Sequence, residues 1–535
     1  MSGRAGVAAA AWTTLAVLVG TGVPAAAVAP EGTDSAGAVG TTVTEVPLVV
    51  PPAAAAAARG PSPEAVVAAR VAPTADRVLT DPIPMDDHQT LGLTWPAGAD
   101  GGTLEPRVRV LADGEWSAWR EVPHEEVTAD PGTADAAHAG GARGGTESVW
   151  VGDAAEAVQL SFAATDAGGP DGLALVLVGS DLVAPTAATE PLAAGSLAGD
   201  LAAVAPVPQL VSRAEWGAAP QVCTPDVASR GLVGAVLHHT AGSNAYATQA
   251  EAMQQIRNDQ RYHITGRGWC DLGYNFVVDK WGTVYEGRAN SATQPVIGVH
   301  AGGFNTGTVG ISMLGEYGAL TPPAAVQESV ARVVAWRLGQ YHRDPAGWLT
   351  YRTLGGENSR FPAGTDVTLP VLFSHRDVGL TACPGNAGYQ TLGWLRERAR
   401  QLVGTTFVNP AATPTTLSPD TPVTVRAATL GDISWRLEVT HAVSGQLLAS
   451  SVGYAQQAFG GVVASWDGRG PDGQYVGIGR YRLTLTGVDE AGRAVVPWTS
   501  TVSALRDPDP PTVDPVPLVG GLELVPVTPA RLLRF

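Results

Sequence analysis

Hydrophobic and polar positions follow one pattern in the N-terminal third of the chain. Between residues 76 and 181, short apolar runs alternate with polar positions and end at Gly, Asp or Pro, which is typical of antiparallel β-sandwiches. The piece between Ala129 and Gly145 lacks this alternation and is interpreted as a polar, Gly- and Ala-rich loop. The strand-like runs are LGLTW, Arg107–Leu111, SVWVG, VQLSF and LALVLVG.

A second pattern covers residues 209–404, where strand-like and helix-like segments alternate. GAVLHHT, YNFVVD, TVGISML and VLFSHRD have the character of strands, and TQAEAMQQIRNDQRYH has that of a helix. In PAAVQESVARVVAWRLGQYH, Val326, Val330 and Val334 recur at helical spacing behind Pro322 and Pro323, where a helix can begin. We therefore predict a central α/β domain.

Strict alternation returns in residues 405–503, in VTVRAA, SWRLEVTHA and YRLTLTGVDEAGR. Ser465–Gly487 contains Asp-Gly and Pro-Asp-Gly turns between such runs, as hairpins require. The segment resembles the Ig-like modules of the flagellar hook-capping family. The predicted fold class is thus multidomain, with a central α/β domain between two all-β, sandwich-like domains.

The first 29 residues have the pattern of an export signal. Arg4 precedes an apolar stretch, and small residues around Ala25 to Ala29 resemble an Ala-x-Ala cleavage site. A disordered, Ala-rich N-terminus is the alternative interpretation. No later run of about 18 apolar residues occurs, so no membrane span is expected. We predict a protein that is secreted, extracellular or associated with a cell wall.

Three other segments have low-complexity composition. Residues 30–75 and 182–208 are rich in Ala and Pro and are predicted to be linkers, and residues 504–535 form a Pro-rich tail. The length of 535 residues allows about three domains of roughly 150 residues each. A monomer is expected.

The charge balance excludes one class of partner. With 33 basic and 50 acidic residues, the net charge is −17. Because neutralising phosphates requires clustered Lys and Arg, this balance argues against a nucleic-acid binder.

Candidate chemistry comes from histidine and cysteine. His238 and His239 stand at the end of GAVLHHT, and His375 and Cys383 lie in FSHRDVGLTACPG. A histidine beside a cysteine is more often structural than functional. Residues at strand ends, however, project into the clefts of α/β domains. Imidazoles and a thiolate are also the ligands that zinc prefers, and three protein ligands leave a fourth position for water.

The chain has an odd number of cysteines. Cys223 and Cys270 are able to close a disulfide loop, although the sequence does not prove the pairing. Cys383 would then be left over. It is either a zinc ligand or a buried, inert thiol.

Five motifs in residues 209–404 carry a family resemblance. The motifs are SRAEWGA, LHHTAG, CDLGYNFVVDKWGTVYEGR, GVHAGGFNTGTVGISMLG and SHRDVGLTACPG. In this order they resemble the amidase and peptidoglycan-recognition-protein family, which includes amidase-type phage lysozymes.

The resemblance implies a site and a fold. It implies Zn²⁺ bound by His238, His375 and Cys383, with Tyr274 orienting or deprotonating the attacking water. Thr381 stands at a catalytic position two residues before the cysteine. The resemblance also implies a mixed β-sheet flanked by helices, and a groove for the muramyl peptide of peptidoglycan.

Weaker signals mark further positions. His239 is interpreted as a structural residue behind the ligands rather than as a ligand itself, and it is also counted among the substrate-binding candidates. His300 and Asn305 are candidates for the substrate groove, and His300 also for oxyanion stabilisation. Arg288 is expected to contact a stem-peptide carboxylate or to form an ordinary surface salt bridge. Asp377 is either an acceptor for a zinc histidine or a turn former.

Two departures from the family pattern limit the prediction. Ala289 and Asn290 follow YEGR, so the preference for diaminopimelate or lysine stem peptides stays open. Some relatives carry a catalytic glutamate where this chain has Ser312, so catalysis is expected to use the tyrosine.

The resemblance predicts an N-acetylmuramoyl-L-alanine amidase, which cleaves the amide between the lactyl group of N-acetylmuramic acid and L-alanine. The main alternative is a protein that binds peptidoglycan without cutting it. Non-catalytic relatives commonly replace the cysteine ligand by serine, so Cys383 favours hydrolysis. A third interpretation makes the β domains the working part and the α/β domain a wall anchor.

Overall fold

The structure is a computed structural model, described here for most of the chain. The predicted signal 1–29, most of the predicted linker 182–208 and most of the tail fall outside the described residues. Within the described ranges, no helix is both long and apolar enough to cross a membrane. The described residues are 39–53, 67–68, 70–71, 76–99, 101–124, 127–138, 143–183, 207–356, 358–418, 421–505, 516–517 and 523–524.

The N-terminal domain is built from two β-sheets that enclose a hydrophobic core. One sheet has the strand order β10-β6-β13-β1-β2, with β11 also on β6; the other has the order β3-β4-β12-β7-β8, with β5 on β12 and β9 on β7. Core side chains such as Leu91, Leu93, Leu160 and Phe162 come from both sheets. The elements are β1 (Thr41–Val49), β2 (Val67–Ala68), β3 (Arg70–Val71), β4 (Arg77–Leu79), β5 (Ile83–Pro84), β6 (Thr90–Pro96), a 3₁₀ turn (Gly102–Leu104), β7 (Arg107–Ala112), β8 (Glu115–Trp116), β9 (Arg120–Glu121), helix α1 (Ala134–His138), β10 (Arg143–Gly145), β11 (Val149–Trp150), β12 (Ala157–Ala163) and β13 (Ala174–Ser180).

Two sequence predictions for this domain were wrong in part. Strand β1 lies inside the predicted linker 30–75, where it pairs antiparallel with β13. Strand β13 is buried along its length and is paired with a neighbour on both edges, β6 and β1. The sequence predicted a linker here because the composition around β1 is rich in Ala and Pro, and the pairing of β1 with the distant strand β13 has no local signal. The predicted loop between Ala129 and Gly145 contains helix α1 and strand β10.

The central domain is a mixed sheet with helices packed against it. The strand order is β14-β17-β16-β18-β15-β21, in which only the β16–β17 pair is antiparallel. The elements are β14 (Leu210–Val211), β15 (Gly234–His239), α2 (Gln249–Arg261), a π-helical turn (Tyr262–Gly266), β16 (Phe276–Val278), β17 (Val284–Glu286), β18 (Thr308–Met313), α3 (Ala324–Gly339), β19 (Trp348–Arg352), β20 (Asp366–Pro370), β21 (Leu372–Ser374), α4 (His375–Val378), α5 (Asn386–Gln390) and α6 (Leu392–Val403).

Both faces of this sheet are covered, which explains its continuous apolar strands. Helices α3 and α6 pack on one face, where Leu237 belongs to the same core as Val330 and Leu395. Helix α2 packs on the other side, where Met253 and Val277 share a second cluster. Successive side chains of β15 therefore point alternately toward two different environments.

The two predicted helices are confirmed, and the cysteine pairing that the sequence left open is settled by the structure. Helix α3 begins after its N-cap residue Pro323, and the valines that predicted it are buried. Thr248 caps α2 by accepting a hydrogen bond from the backbone N–H of Glu251. Cys223 and Cys270 form a disulfide, and Cys383 lies outside it.

The C-terminal domain is a second two-sheet sandwich. Its sheets have the orders β22-β24-β27 and β23-β29-β28-β25-β26. Val408 and Leu430 belong to the core of helices α3 and α6, so this domain packs against those helices. Its resemblance to hook-capping modules stays a prediction. The elements are β22 (Thr406–Thr413), β23 (Thr416–Leu417), β24 (Val423–Leu430), β25 (Ile433–His441), β26 (Leu447–Ala455), a 3₁₀ turn (Gln457–Phe459), β27 (Val462–Trp466), β28 (Gly479–Asp489) and β29 (Trp498–Ala504). In the predicted tail, β30 (Val516–Pro517) and β31 (Glu523–Leu524) pair with each other in a separate two-stranded sheet.

Candidate metal centre

Two histidines leave the carboxyl ends of neighbouring parallel strands. Leu237 of β15 is paired with Ser374 of β21, so that His238 and His375 follow directly in register. The two imidazole rings lie 4.8 Å apart between centroids. Side chains at such strand ends face the crevice where α/β proteins bind ligands.

The orientation of His375 is fixed by a capping box at the start of α4. The backbone N–H and the hydroxyl of Ser374 both donate to Asp377 Oδ2, at 2.8 and 2.9 Å. Tyr389 Oη donates to the other carboxylate oxygen of Asp377 at 2.9 Å. Of the two roles predicted for Asp377, these contacts with Ser374 and Tyr389 match the turn-forming one. The cap holds the first residue of the helix, His375, in place.

Cys383 comes to the same point from the loop after α4. Its buried Sγ lies 3.7 Å from His238 Nδ1 and accepts a hydrogen bond from the backbone N–H of His239 at 3.4 Å. Thr381 Oγ1 accepts the backbone N–H of Cys383 at 3.1 Å and so shapes the loop around the thiol. Thr381 is thus found beside the ligand loop.

The donor atoms of His238, His375 and Cys383 lie within 4.8 Å of one another. His375 Nδ1 is buried and has no hydrogen-bond partner among the described residues. Burial lowers the pKa of His375 to about 4 and holds the pKa of His238 well below its ordinary value. Both imidazoles are therefore neutral and offer lone pairs, as a metal requires. The residue types and their convergence fit a zinc ion.

His300 supports His238 from behind. Its Nδ1 lies 3.1 Å from His238 Nε2, on the side of the ring opposite Cys383. Burial lowers the pKa of His300 to about 3, so its ring is neutral and shares one hydrogen bond with the neutral ring of His238. A Cβ at Gly310 would lie 2.5 Å from the His300 ring, so only glycine fits there. The structure therefore gives His300 a positioning contact that the groove prediction did not include.

His239 points away from the ligand cluster, because side chains alternate along β15. Its Nδ1 accepts the backbone N–H of Tyr317 at 3.3 Å and lies 3.6 Å from Glu316. Burial lowers the pKa of His239 to about 3, so the neutral ring makes no ion pair with that carboxylate. These contacts of the His239 side chain with Tyr317 and Glu316 support the structural role predicted for it. The substrate role predicted for His239 has no such support, because the side chain points away from the candidate ligands.

Tyr274 lies beside the candidate ligands. Its ring is 5.2 Å from the His238 ring between centroids. Its hydroxyl donates to Glu147 Oε2 at 3.5 Å, and Glu147 belongs to the N-terminal domain. Ser312, where some relatives carry glutamate, pairs with His238 across β15 and β18, and its buried hydroxyl has no partner among the described residues.

The two remaining groove candidates also contact the N-terminal domain. Asn305 Oδ1 accepts the backbone N–H groups of His300 and Ala301, and its Nδ2 donates to Asp130 Oδ1 at 3.0 Å. Arg288 forms a buried ion pair with Asp135. The predicted alternative of a surface salt bridge for Arg288 is therefore wrong, because both side chains are enclosed between domains.

Sequence reasoning missed three acidic residues at the site. Asp130 and Asp135 lie in the segment interpreted as a polar loop, and Glu147 follows strand β10. Nothing in the local pattern links them to residues of another domain. Only the docking of the two domains brings these carboxylates to the site.

Comparisons with protein families divide the chain in the same way. Residues 230–386 match the family model "N-acetylmuramoyl-L-alanine amidase". Residues 36–192 match a model described as "Rv3811 N-terminal galactose-binding domain-like". The chain is therefore a multidomain protein, with a galactose-binding-like N-terminal domain ahead of an amidase-type domain.

Curated relatives match the central domain. Peptidoglycan-recognition protein SC2 of Drosophila simulans is 36% identical over 176 residues, which are 33% of this chain and 80% of the relative. Peptidoglycan recognition protein 1 of Bos indicus is 32% identical over 184 residues, or 34% of this chain and 82% of the relative. The solved Drosophila peptidoglycan-recognition protein LB has 26% identity and a TM-score of 0.28, and the match covers 35% of this chain and 94% of that one. From its sequence relatives, the chain belongs to the N-acetylmuramoyl-L-alanine amidase and peptidoglycan-recognition-protein family.

Proposed function

We propose that this protein is a secreted, zinc-dependent N-acetylmuramoyl-L-alanine amidase. It hydrolyses the amide between the lactyl group of N-acetylmuramic acid and the L-alanine of the stem peptide. Membership of the family supports either peptidoglycan binding or amidase activity. The choice between them depends on the residues of the site.

One observation carries the proposal: a cysteine completes the ligand set. His238, His375 and Cys383 bring their donor atoms within 4.8 Å of one another. A binding protein has no need of a buried thiol at this point, whereas zinc hydrolases use three protein ligands and keep one position open. The presence of Cys383 therefore favours hydrolysis over binding alone.

Each residue of the site has a proposed task. Bound zinc supplies Lewis-acid chemistry, acidifying water and polarising the amide carbonyl. His238, His375 and Cys383 hold the ion, and His300 fixes the ring of His238 through the 3.1 Å contact. Tyr274 Oη donates a hydrogen bond to the attacking water or to the oxyanion that develops on the amide.

Further residues are proposed to position the catalytic and binding groups. Thr381 keeps the Cys383 loop in shape through the 3.1 Å bond to its backbone. Arg288 is a guanidinium suited to a stem-peptide carboxylate, and Asn305 is an amide suited to the peptide backbone. His239 is proposed as structural support rather than as a substrate contact.

The setting and partners follow from other features. The export-signal pattern and the disulfide between Cys223 and Cys270 support secretion into an oxidising compartment. The partner is peptidoglycan, and the protein is proposed to act as a monomer. The C-terminal sandwich is proposed as a wall-targeting or spacer module.

A chelator experiment tests the proposal. Purified full-length protein is incubated with muramyl peptide, with zinc and with chelator, and released stem peptide is measured. The proposal predicts release that chelator removes and added zinc restores. A zinc-loaded protein that binds muramyl peptide and releases no stem peptide would be a recognition protein instead.

A further inference from the structure

The N-terminal domain is docked on helix α2 through a polar interface. Residues 252–260 of this helix are all buried, and six of these nine side chains are polar or charged. Ser180 Oγ donates to Asn258 Oδ1 at 2.7 Å, and Ser148 Oγ donates to Asp259 Oδ1 at 2.6 Å. Burying polar groups is favourable only when each finds a partner. Asn258 and Asp259 find their partners in the N-terminal domain, so this part of the helix is fitted to that domain.

From this docked domain a segment extends over the central domain. We call residues 127–138 the arm. Val127 packs in one cluster with Trp269 and Val299, and its carbonyl accepts a hydrogen bond from Arg267 Nη2 at 3.3 Å. At the start of α1, the backbone N–H of Ala134 donates to Asp226 Oδ2 of the central domain. The arm is thus held at both ends.

Asp130 binds the loop that contains the groove candidate Asn305. Its carboxylate accepts hydrogen bonds from the backbone N–H of Gly303, from Asn305 Nδ2, and from both the backbone N–H and the hydroxyl of Thr306, at 2.7 to 3.0 Å. These four bonds occupy both carboxylate oxygens. The amide of Asn305 is consequently engaged by the arm.

Asp135 binds the groove candidate Arg288. Its Oδ2 pairs with the Arg288 guanidinium, and its Oδ1 accepts the backbone N–H of Cys270 at 3.0 Å. The side chains of Arg288 and Asp135 are 0% and 3% exposed. The single cation proposed for a stem-peptide carboxylate therefore already holds a carboxylate of the same chain.

Glu147 reaches the third polar group. It accepts the hydroxyl of Tyr274, whose ring packs beside His238. The arm and Glu147 together are called the cover. Its three carboxylates meet Asn305, Arg288 and Tyr274, which are the three polar groups proposed to contact substrate or the reacting amide.

Access to the site follows from this arrangement. His238, His300, Arg288 and Asn305 have no exposed surface, and Tyr274 is 2% exposed. A peptide attached to a glycan strand is far larger than water and has no route to side chains that are buried in this way. In the structure, the site is therefore closed to a peptidoglycan substrate.

We infer that the cover is an intramolecular inhibitor: its carboxylates occupy the substrate contacts, and the site opens when an acidic peptide displaces the arm. The inference rests on the proposed function, because it concerns the same site. Removing Asp135 without a replacement would leave a buried, unpaired Arg288, which is strongly unfavourable. An incoming stem-peptide carboxylate supplies an equivalent partner, so exchange of one carboxylate for the other is the low-cost route to opening.

The test compares full-length proteins that differ in the arm. The variants are Asp135→Ala and Asp130→Ala, with Asp135→Asn as a same-sized version in case alanine prevents folding. Asp171→Ala, an exposed residue of the same domain, is the control. Three quantities are measured for each: amide hydrogen exchange in residues 269–275 and 299–306, the Kd for muramyl peptide, and stem-peptide release with zinc.

We expect Asp135→Ala to raise exchange at the Gly303 and Thr306 amides, which Asp130 of the arm holds, roughly 100-fold or more, as the loss of a buried ion-pair partner implies. Binding of muramyl peptide and release of stem peptide should increase by the same factor until the open state dominates. The Asp171→Ala protein should match the wild type in all three measurements.

The outcomes separate this inference from the proposed function. Tighter muramyl-peptide binding in the arm variants, with no release by any protein, would support the cover and reject the amidase. Equal binding in wild type and arm variants would overturn the cover, whether or not stem peptide is released. Unchanged exchange in residues 269–275 and 299–306 would overturn it as well, because the carboxylates would then not hold the arm in place.

Discussion

The floor and the roof of the metal site are built in opposite ways. The floor consists of His238, His375 and Cys383, from strand ends and a capped loop of one domain, with neutral imidazoles facing a thiol. The roof consists of the carboxylates of the cover, from another domain. Under the proposed function, the floor would hold the metal ion and the roof would occupy the contacts for substrate. Damage to the floor should therefore abolish turnover, whereas damage to the roof should increase it.

The largest expected effect is on the floor. Cys383→Ser replaces a soft thiolate by a weakly acidic hydroxyl, so we expect loss of bound zinc and of stem-peptide release. The substitution is best made in the Asp135→Ala protein, in which access of muramyl peptide to the site does not limit the rate of stem-peptide release. Metal content after dialysis and released peptide are the two readouts. If zinc and turnover both survived, Cys383 would not be a ligand.

The next effect concerns the strength of the roof. Because Asp135→Ala removes the partner of a buried guanidinium, the free energy of opening at the Gly303 and Thr306 amides, which Asp130 of the arm holds, should fall by about 3–5 kcal/mol. Native-state hydrogen exchange measures this quantity. Asp366→Ala breaks the exposed pair with Arg352 and serves as the control, with a change below about 1 kcal/mol in the exchange of β19. Equal changes at the two pairs would contradict the burial argument.

Tyr274 lies where floor and roof meet. Tyr274→Phe removes only the hydroxyl, so zinc should remain bound while kcat falls roughly 10²- to 10³-fold, as for the loss of one oxyanion donor. The measurement is kcat for stem-peptide release, with metal content as the control, again in the Asp135→Ala background. An unchanged kcat would remove Tyr274 from the mechanism.

The smallest predicted effect on the floor comes from His300. His300→Ala removes the hydrogen bond between the two rings, and we expect zinc affinity to fall about 10- to 100-fold. A competition titration with a chromophoric chelator gives the affinity directly. If zinc affinity were retained while the KM for muramyl peptide rose, His300 would be a groove residue, as the sequence predicted.

The floor could be predicted from sequence because its information is local. LHHTAG ends a strand and SHRDVGLTACPG supplies a strand end, a cap and a loop, so the residue types and their context point to one cleft. The contact of His300 with His238 could not be predicted, since it depends on the close approach that Gly310 allows.

The roof could not be predicted because its information lies between domains. Asp130 and Asp135 occur in a polar stretch whose residues have no apolar period, and their partners are more than a hundred positions away. Strand β1 was not predicted for the same reason, because its partner β13 lies at the far end of the domain sequence. Local patterns specify elements, but they do not specify which charged residues will meet across a docked interface.

The most direct test of the account is zinc-dependent turnover in an opened protein. Full-length Asp135→Ala protein is loaded with zinc, given muramyl peptide, and assayed for released stem peptide before chelator, after chelator and after zinc is returned. We predict release, its loss and its recovery in that order. A protein that holds zinc and binds muramyl peptide in the open state, yet releases no stem peptide, would contradict the amidase assignment.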